Sequence, residues 1–577
     1  MCAIIILINV ARRTPIDRPH GNLTGLKPQQ LLRLERLHRR RVPPQAVVSP
    51  ELARQLADIS QEIRRQVGVL LDRQGAVELV LVGDPQGLVI PVLGRLRQAG
   101  GRLKGLRLIH THLRGEPLSQ DDLMDLAFLR LDLVAALQVK PDGQPGRLHI
   151  AHLLPHPVDG SSFAFLEADH VSHLTADFTA LVASLETELQ RTAALTAADR
   201  RERAILIGVT TKPRHQAEDS LAELKELAES AGLAVADVIL QHRARIDPRY
   251  LLGKGKLADL VVHALQLDVG LLIFDADLNP SQVRSITDLT DLKVIDRTQL
   301  ILDIFAQRAR SREGKLQVEM AQLKYLLPRL SGRDDALSRL TGGIGGRGPG
   351  ETKLEIDKRR VRERLHRLGQ DLEAVRRARR TRRGLRRRQG LPVLSIVGYT
   401  NAGKSTLLNA LTHSTVVAEN RLFATLDPTS RRLRFPRERE VIITDTVGFI
   451  TNLPPDLMAA FKATLEELED ADLLLHVIDL SNPRWEEQLQ AVDRILAELD
   501  LHDKPVLKVF NKLDLVPASL AALQCRIHDG VAISATAPET LTPLWERLDA
   551  VIDDLLAGRD TVPAAPPPEA DLSSPPA

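Results

Sequence analysis

Short apolar runs and longer amphipathic stretches alternate along most of this chain, and the rhythm divides it into blocks. Between residues 46 and 200 the runs QVGVLLD, VELVLVG, LRLIHTH, LVAALQV and RLHIAHLL are short and apolar, which predicts strands. SQDDLMDLAFLRL has helical spacing instead, and Ser119 at its head predicts an N-cap. From 201 to 310, AILIGVT, VADVILQ, VGLLIFD and KVID are each separated from the next by a helical pattern. That alternation predicts a small parallel sheet with crossover helices. Residues 311–390 carry two long helical patterns around TGGIGGRGPG, whose glycines cannot hold a regular element. Two helices joined by a flexible loop are expected there. Strand–helix alternation returns over 391–557. The ends differ: residues 1–45 are basic and Pro-punctuated, expected to be loosely ordered, and 558–577 form a Pro/Ala/Ser-rich tail expected to be disordered.

Composition narrows this picture. At 577 residues the chain is too long for one core. Aromatic residues make up only 3%, which argues against base-stacking platforms. The net charge of +3 names no partner, but its distribution does. About half of Lys358–Arg388 is Lys or Arg with few acids between, which predicts contact with nucleic-acid phosphates; a solvated helix face is the alternative. The two cysteines, Cys2 and Cys525, belong to no C-x-x-C pair, so neither a thiolate zinc site nor a disulfide framework is expected, and a cytoplasmic location is. The run AIIILINV from Ala3 lacks a basic leader and is too short to span a bilayer; it reads as a strand or a doubtful start site. Membrane association is not indicated.

The densest chemistry lies in the last block. LPVLSIVGYTNAGKSTLLNAL reads as a buried strand, a loop and a helix. Gly398, Tyr399, Thr400, Asn401, Ala402, Gly403, Lys404 and Ser405 form the G-x-x-x-x-G-K-S pattern, whose inward amides and helix N-terminus suit phosphate. Lys404 can reach β and γ oxygens, and Ser405 can ligate Mg²⁺. EVIITDTVG then brings Asp445, Thr446, Val447 and Gly448 to the end of a strand. Asp445 is expected to hold Mg²⁺ through water, and the Gly448 amide to meet the γ-phosphate. Asn511, Lys512, Leu513 and Asp514 end another strand, and Ser534 and Ala535 follow VAI. A carboxylate at Asp514 accepts the paired N–H groups of guanine, which adenine cannot offer. These patterns predict GTP and GDP as ligands and GTP hydrolysis, with ATP the weaker alternative. Thr425 and Thr429 are both candidates for a switch threonine that ligates Mg²⁺. Phe449 occupies the place where many such enzymes have a water-positioning Gln, and it can orient nothing by hydrogen bonding.

GYTNAGKSTLLNAL, FATLDPTSR, DTVGFITNLP, NKLD, YLLGKGK, DADLNPSQVRSI, DRTQLILDIFAQRA and GGIGGRGPGETKLE resemble the HflX family of translational GTPases, over about residues 203–556. The resemblance implies an α/β chain: a Ras-like P-loop GTPase domain preceded by a small parallel α/β domain and a two-helix linker. It implies Thr425 rather than Thr429 as the Mg²⁺ ligand, which makes Lys404, Thr425 and Gly448 the residues at the reacting phosphate. It implies that Phe423, Ala424, Thr425, Leu426 and Asp427 lie against the nucleotide. It further implies binding to the large (50S) ribosomal subunit and ribosomal RNA, without DNA specificity, and dissociation of stalled or idle ribosomes. An assembly or storage factor that splits nothing is the competing expectation. The missing water-positioning group is expected from outside: the ribosome is one source, and a potassium ion is another, since Asn401 stands where similar potassium-activated GTPases hold the ion.

Residues 46–200 lie outside that likeness and add an α+β or α/β extension. His110 and His112 share a strand face, and Ser119, Asp121 and Asp122 follow at a helix start. His110, His112 and Asp122 could give three zinc ligands with an open fourth position. The stretch resembles the JAB/MPN metalloprotease fold and its RadC relatives, but the spacing from His112 to Ser119 is one residue short. Glu62 is the candidate upstream acid. A fold that has lost its chemistry and serves as an interaction module is the favoured expectation; a GTP-regulated hydrolase on the histidine pair is the sharper one.

Overall fold

In this computed structural model the described residues are 18–88, 90, 103–159, 161–196, 201–290, 292–332, 353–388, 391–412, 423, 429–434, 440–446, 448–450 and 468–560. The apolar run at Ala3, the glycine-rich loop at 341–350 and the tail beyond Asp560 lie outside them. The chain divides into two compact units: residues 1–222 with 232–296, and residues 223–231 with 297–577.

The first unit opens with β1 (His20–Gly21), α1 (Pro28–Leu37), α2 (Pro50–Ile63), β2 (Val67–Asp72), β3 (Val77–Val82) and β4 (Leu106–His112). It continues with α3 (Gln120–Phe128), β5 (Leu133–Val139), β6 (Pro145–Val158), β7 (Ser161–Ala168) and α4 (Phe178–Thr196). The strands form one sheet in the order β1-β3-β2-β4-β5-β6-β7. The predicted strands are all present, and Ser119 caps α3 by accepting from the Asp122 amide. β7 and α4 have no counterpart among the predicted elements.

Both faces of this sheet are covered, which is why its strands read as unbroken apolar runs rather than alternating ones. Val69, Leu71, Ile109 and Ala135 face Leu52, Leu56 and Ile59 of α2. Their neighbours Leu70, Leu108 and Val134 face the opposite core. A second sheet shares that opposite core. It is built from β8 (Arg203–Thr210), β9 (Ala234–His242), β10 (Leu271–Phe274) and β11 (Lys293–Asp296), all parallel, in the order β11-β10-β8-β9. The helices α5 (Arg214–Ser230), α6 (Lys254–Gln266) and α7 (Pro280–Thr287) are its crossovers. Leu257 and Val261 of α6 enter one cluster with Leu126 and Phe128 beside the end of α3, and Lys254 pairs with Asp121 at 3.2 Å. A fully buried carboxylate, Asp132, takes Nε and Nη2 of Arg73 at 2.6 and 2.9 Å, while Nη2 also reaches Glu186 of α4 at 2.8 Å.

The second unit begins with α8 (Arg297–Arg308), α9 (Arg312–Leu326) and α10 (Lys353–Arg388). Arg364 of α10 grips Glu319 of α9 with two bonds of 2.7 and 2.8 Å. Then come β12 (Val393–Gly398), α11 (Lys404–Thr412), β13 (Thr429–Arg434), β14 (Glu440–Asp445) and β15 (Leu473–Asp479). The last elements are α12 (Trp485–Glu498), β16 (Val506–Asn511), α13 (Ala518–His528), β17 (Gly530–Ala532) and α14 (Thr542–Asp560), which runs past Gly558. The sheet order is β13-β14-β12-β15-β16-β17; only β13 runs antiparallel to its neighbour. The C-terminal ends of the parallel strands therefore line one edge, where ligands of such sheets bind.

His476 sits on β15, 1% exposed at its side chain. Burial, reinforced by Lys508 and Lys404, pushes its imidazole down to about 3. The unfolded chain therefore takes up a proton below about pH 6.5 that the folded chain refuses. Stability is fully present above that pH and falls by about 1.4 kcal/mol per unit as the solution is acidified towards 3. Urea unfolding at pH 7.5 and 5.5 should show this loss in the native chain, and His476→Leu should remove about 1.4 kcal/mol of the difference.

Candidate functional site

The loop between β12 and α11 is built on two glycines in conformations that L side chains rarely adopt. Gly398 has φ +150°, and a Cβ there would meet the Val477 carbonyl oxygen at 2.3 Å. Gly403 has φ +91°, and a Cβ would meet Asn511 Nδ2 at 2.2 Å. No other residue type fits either place. Asn401 is also left-handed, at φ 62°. Lys404 opens α11, is buried, and donates from Nζ to the Tyr399 carbonyl at 2.6 Å. Burial pushes its amine down to about 8, against the pull of Asp445.

The remaining motif residues converge on this loop. Ser405 Oγ donates to Asp445 Oδ2 at 2.7 Å, so the two expected Mg²⁺ partners already lie side by side. Thr446 Oγ1 donates to the Ile396 carbonyl at 2.6 Å. Gly448 sits close to the loop: a Cβ on it would lie 2.9 Å from Lys404 Nζ. Asn511 ties two segments, donating from Nδ2 to the Ala402 carbonyl at 2.8 Å and accepting at Oδ1 from the Ala535 amide at 2.9 Å. Lys512, at φ 64°, donates to Asp479 Oδ2 at 2.7 Å. The Leu513 amide donates to the Ile533 carbonyl at 3.0 Å. Ser534 Oγ donates to Asp514 Oδ1 at 2.6 Å, leaving the other carboxylate oxygen to a ligand edge. The main chain can therefore cradle phosphates at one end of the groove while a carboxylate reads a purine edge at the other.

Ala424, Thr425, Leu426, Asp427 and Val447 lie outside the described residues, as does the side chain of Thr429. Phe423 is buried, with its ring edge-on to Phe305 at 4.6 Å between centroids. Phe449 is 2% exposed, and its backbone is engaged by the loop: its carbonyl accepts from Thr400 at 2.8 Å, and its amide donates to Gly398 at 3.1 Å. Two contacts escaped the motif reading. Asp479 braces Lys512, and the Tyr399 hydroxyl donates to the buried Glu223, which Arg297 also holds. A carboxylate some 170 positions upstream of its partner leaves no local signal; the separation is 176 residues.

In the first unit the structure gathers His110, His112 and Asp122 into one cluster, the histidines buried and Asp122 partly so. Glu62 is not part of it: its carboxylate is held by Arg33 and Gln30, which corrects the expectation of an upstream acid there.

Comparison with known proteins places this geometry. Residues 218–306 match a family model described as GTP-binding GTPase N-terminal, 308–386 one described as GTP-binding GTPase Middle Region, and 393–512 one described as 50S ribosome-binding GTPase. The chain is 51% identical over 316 residues to GTPase HflX of Caldanaerobacter subterraneus subsp. tengcongensis, covering 55% of this chain and 73% of that relative. It is 47% identical over 351 residues to GTPase HflX of Lacrimispora saccharolytica, covering 61% and 83%. The chain belongs to the HflX GTPase family. It is a GTP-hydrolysing enzyme with the α/β fold and P-loop site that HflX membership implies. A crystal structure of a GTP-binding protein from the archaeon Sulfolobus solfataricus, in complex with GDP, is similar over 62% of this chain and 99% of that one, with a TM-score of 0.36 and 25% identity. None of the three matched models reaches residues 1–217. No helix among the described residues is long and apolar enough to cross a membrane.

Asn511→Ala removes both ties at once and leaves a buried carbonyl and amide without partners. It should lower stability by about 1–3 kcal/mol and weaken GDP binding, read by thermal unfolding and by calorimetric titration. Asn511→Asp should keep the Ala535 bond and lose the Ala402 bond, giving an intermediate effect.

Proposed function

We propose that this HflX-family chain is a ribosome-dependent GTPase whose GTP form docks on the large ribosomal subunit and dissociates stalled or idle ribosomes. The observation that carries the reading is Phe449. Its side chain is buried and its backbone is engaged by the loop, so the residue after Gly448 supplies nothing to orient an attacking water. A pocket that binds GTP without that group needs its last part from outside. Ribosomal RNA suits the role. About half of Lys358–Arg388 is basic, and phosphate contacts give affinity without base readout. The family description matched by residues 393–512, 50S ribosome-binding GTPase, names the large subunit.

In this reading Lys404 and the loop amides hold the β and γ oxygens, Gly448 meets the γ-phosphate, and Thr425 reports its presence. Asp514 reads guanine, with Ser534 bracing the carboxylate and Lys512 lying along the base plane under the hold of Asp479. Ser405, Thr425 and Asp445 would hold Mg²⁺, the last through water; the 2.7 Å approach of Ser405 to Asp445 suits that donor set. The ion would neutralise charge shared by the two outer phosphates. Asn401 is the residue we assign to a potassium ion beside them. An assembly or storage role would use the same docking and leave ribosomes intact. For residues 46–200 we propose an interaction module on a JAB/MPN-like sheet, supported by the His-x-His strand followed by the Ser119 and Asp122 helix start.

Four measurements test these assignments. Purified large subunits should raise GTP turnover by at least about tenfold; an unchanged rate overturns the ribosome-dependent reading. Light scattering of intact ribosomes should drop on adding the protein with a non-hydrolysable GTP analogue; a flat trace favours the storage role. Asp514→Asn should weaken GTP by about 100-fold or more while leaving ATP unaltered. Hydrolysis should be faster in potassium than in sodium buffer, and Asn401→Ala should abolish that difference.

A further inference from the structure

Four residues of the second unit form a row from α8 to the phosphate loop, and each is buried: Arg297 is 5% exposed, Glu223 8%, Tyr399 6% and Lys404 7%. Arg297, the first residue of α8, donates from Nη2 to Glu223 Oε2. The Tyr399 hydroxyl donates to the other carboxylate oxygen, Oε1. The Tyr399 carbonyl in turn accepts from Lys404 Nζ at 2.6 Å. A carboxylate taken this far out of water needs partners for both oxygens. Here the partners are a guanidinium on one side and the phosphate loop on the other.

The loop has need of such a tether. Gly398 and Gly403 give it conformations that other residues rarely adopt, and the same glycines lose the most backbone freedom when the loop is fixed. Of the four residues between them, Thr400 has a buried Oγ1 with no hydrogen-bond partner among the described residues, Asn401 is exposed, and Ala402 has no polar side-chain atom. Tyr399 is the member whose side chain reaches from the loop to a buried charge. A hydrogen bond to an ionised acceptor is stronger than a neutral one, and low dielectric strengthens it further. The far end of the tether is firm as well. α8 is buried at Leu300, Ile301, Leu302, Ile304 and Phe305, so Arg297 stands on a closely packed element. Holding the Tyr399 ring restricts rotation of its backbone, and so fixes the direction of the carbonyl that holds Lys404.

We propose that Glu223 is a positioning residue for GTP and GDP: through the Tyr399 hydroxyl it sets the phosphate loop and the Lys404 ammonium in the arrangement that receives the phosphates. It acts through Tyr399 rather than on the nucleotide. The G-x-x-x-x-G-K-S pattern does not call for it, because neither its tyrosine position nor any upstream acid is part of that pattern. Ligand contacts can re-form a loosened loop at a cost. Loss of the tether therefore weakens binding of either nucleotide and leaves the chemical step nearly as it was. The role concerns nucleotide binding within this chain and does not depend on the ribosomal reading.

The test uses the full-length protein. It reads GDP affinity by calorimetric titration, KM and kcat for GTP, and thermal unfolding without nucleotide. Tyr399→Phe keeps the ring and deletes the tether: GDP affinity should fall and KM rise by about tenfold, with kcat within about twofold of wild type. Glu223→Gln keeps an acceptor for the phenol and should lose less, about threefold. The double variant should lose no more than Tyr399→Phe alone, because both changes act on one bond. Glu229→Gln removes a charge further along α5 and should bind GDP as the wild type does. Unchanged GDP affinity in Tyr399→Phe overturns the proposal whatever its melting temperature, since the hydroxyl then serves stability alone. Losses that add in the double variant overturn it too, as does a loss confined to kcat. A fall in Glu229→Gln as large as that in Tyr399→Phe also overturns it, because the charge of the helix rather than the tether is then responsible.

Discussion

Asn511 joins what the nucleotide pocket must keep together. One amide group holds the Ala402 carbonyl in the phosphate-side loop and the Ala535 amide on the base side. The loop it ties contains a residue at φ +91°, and there is no room for a methyl between Gly403 and the Asn511 side chain. Asn401 in the same loop is left-handed at φ 62°, and strain of that kind persists only when neighbours over-determine it. The buried carboxamide, the buried Lys404 and the loop-bound backbone of Phe449 together do so. The described part of the site is thus held in place by the chain's own bonds, which lowers the ordering cost of binding.

In the proposed ribosome-dependent reading, the same buried Phe449 is the reason the enzyme would need something external. A side chain packed into the core cannot swing out to act on a water molecule. On that reading, rigidity that favours binding would leave the chemical step incomplete within the chain. The first unit shows a parallel compromise. Its large sheet is covered on both faces, by α2 on one side and by a core shared with the four-stranded sheet on the other. An element buried on two faces cannot easily be added to or removed from a chain without repacking its neighbour.

Much of this was legible in the sequence because the signals are local. QVGVLLD, LRLIHTH and AILIGVT give β2, β4 and β8 nearly to the residue, since a short apolar run with few polar breaks has one stable use. Ser119 was readable as a cap, and the phosphate loop by its glycines. β7 was not: in SSFAFLEA, Phe165 and Leu166 are exposed and no alternation marks an inner face. The long helix α10 was readable from spacing, but its pairing with Glu319 of α9 was not, because pairing across a connection leaves no trace in either segment. The roles of Asp479 and Glu223 were hidden for the same reason. The histidine pair was visible as a motif, yet only the fold brought Asp122 onto it and held Glu62 against Arg33 and Gln30 instead.

The bond from Tyr399 to Glu223 carries a consequence of its own. Tyr399 belongs to the phosphate loop, and Glu223 is gripped by Arg297 at the start of α8. Thermodynamic cycles close, so any free energy that GTP gives to or takes from this bond is returned in full. A partner that pulls on α8 must alter the affinity for GTP by the same factor by which GTP alters its grip on the partner. Nucleotide exchange and docking would then be two readings of one equilibrium.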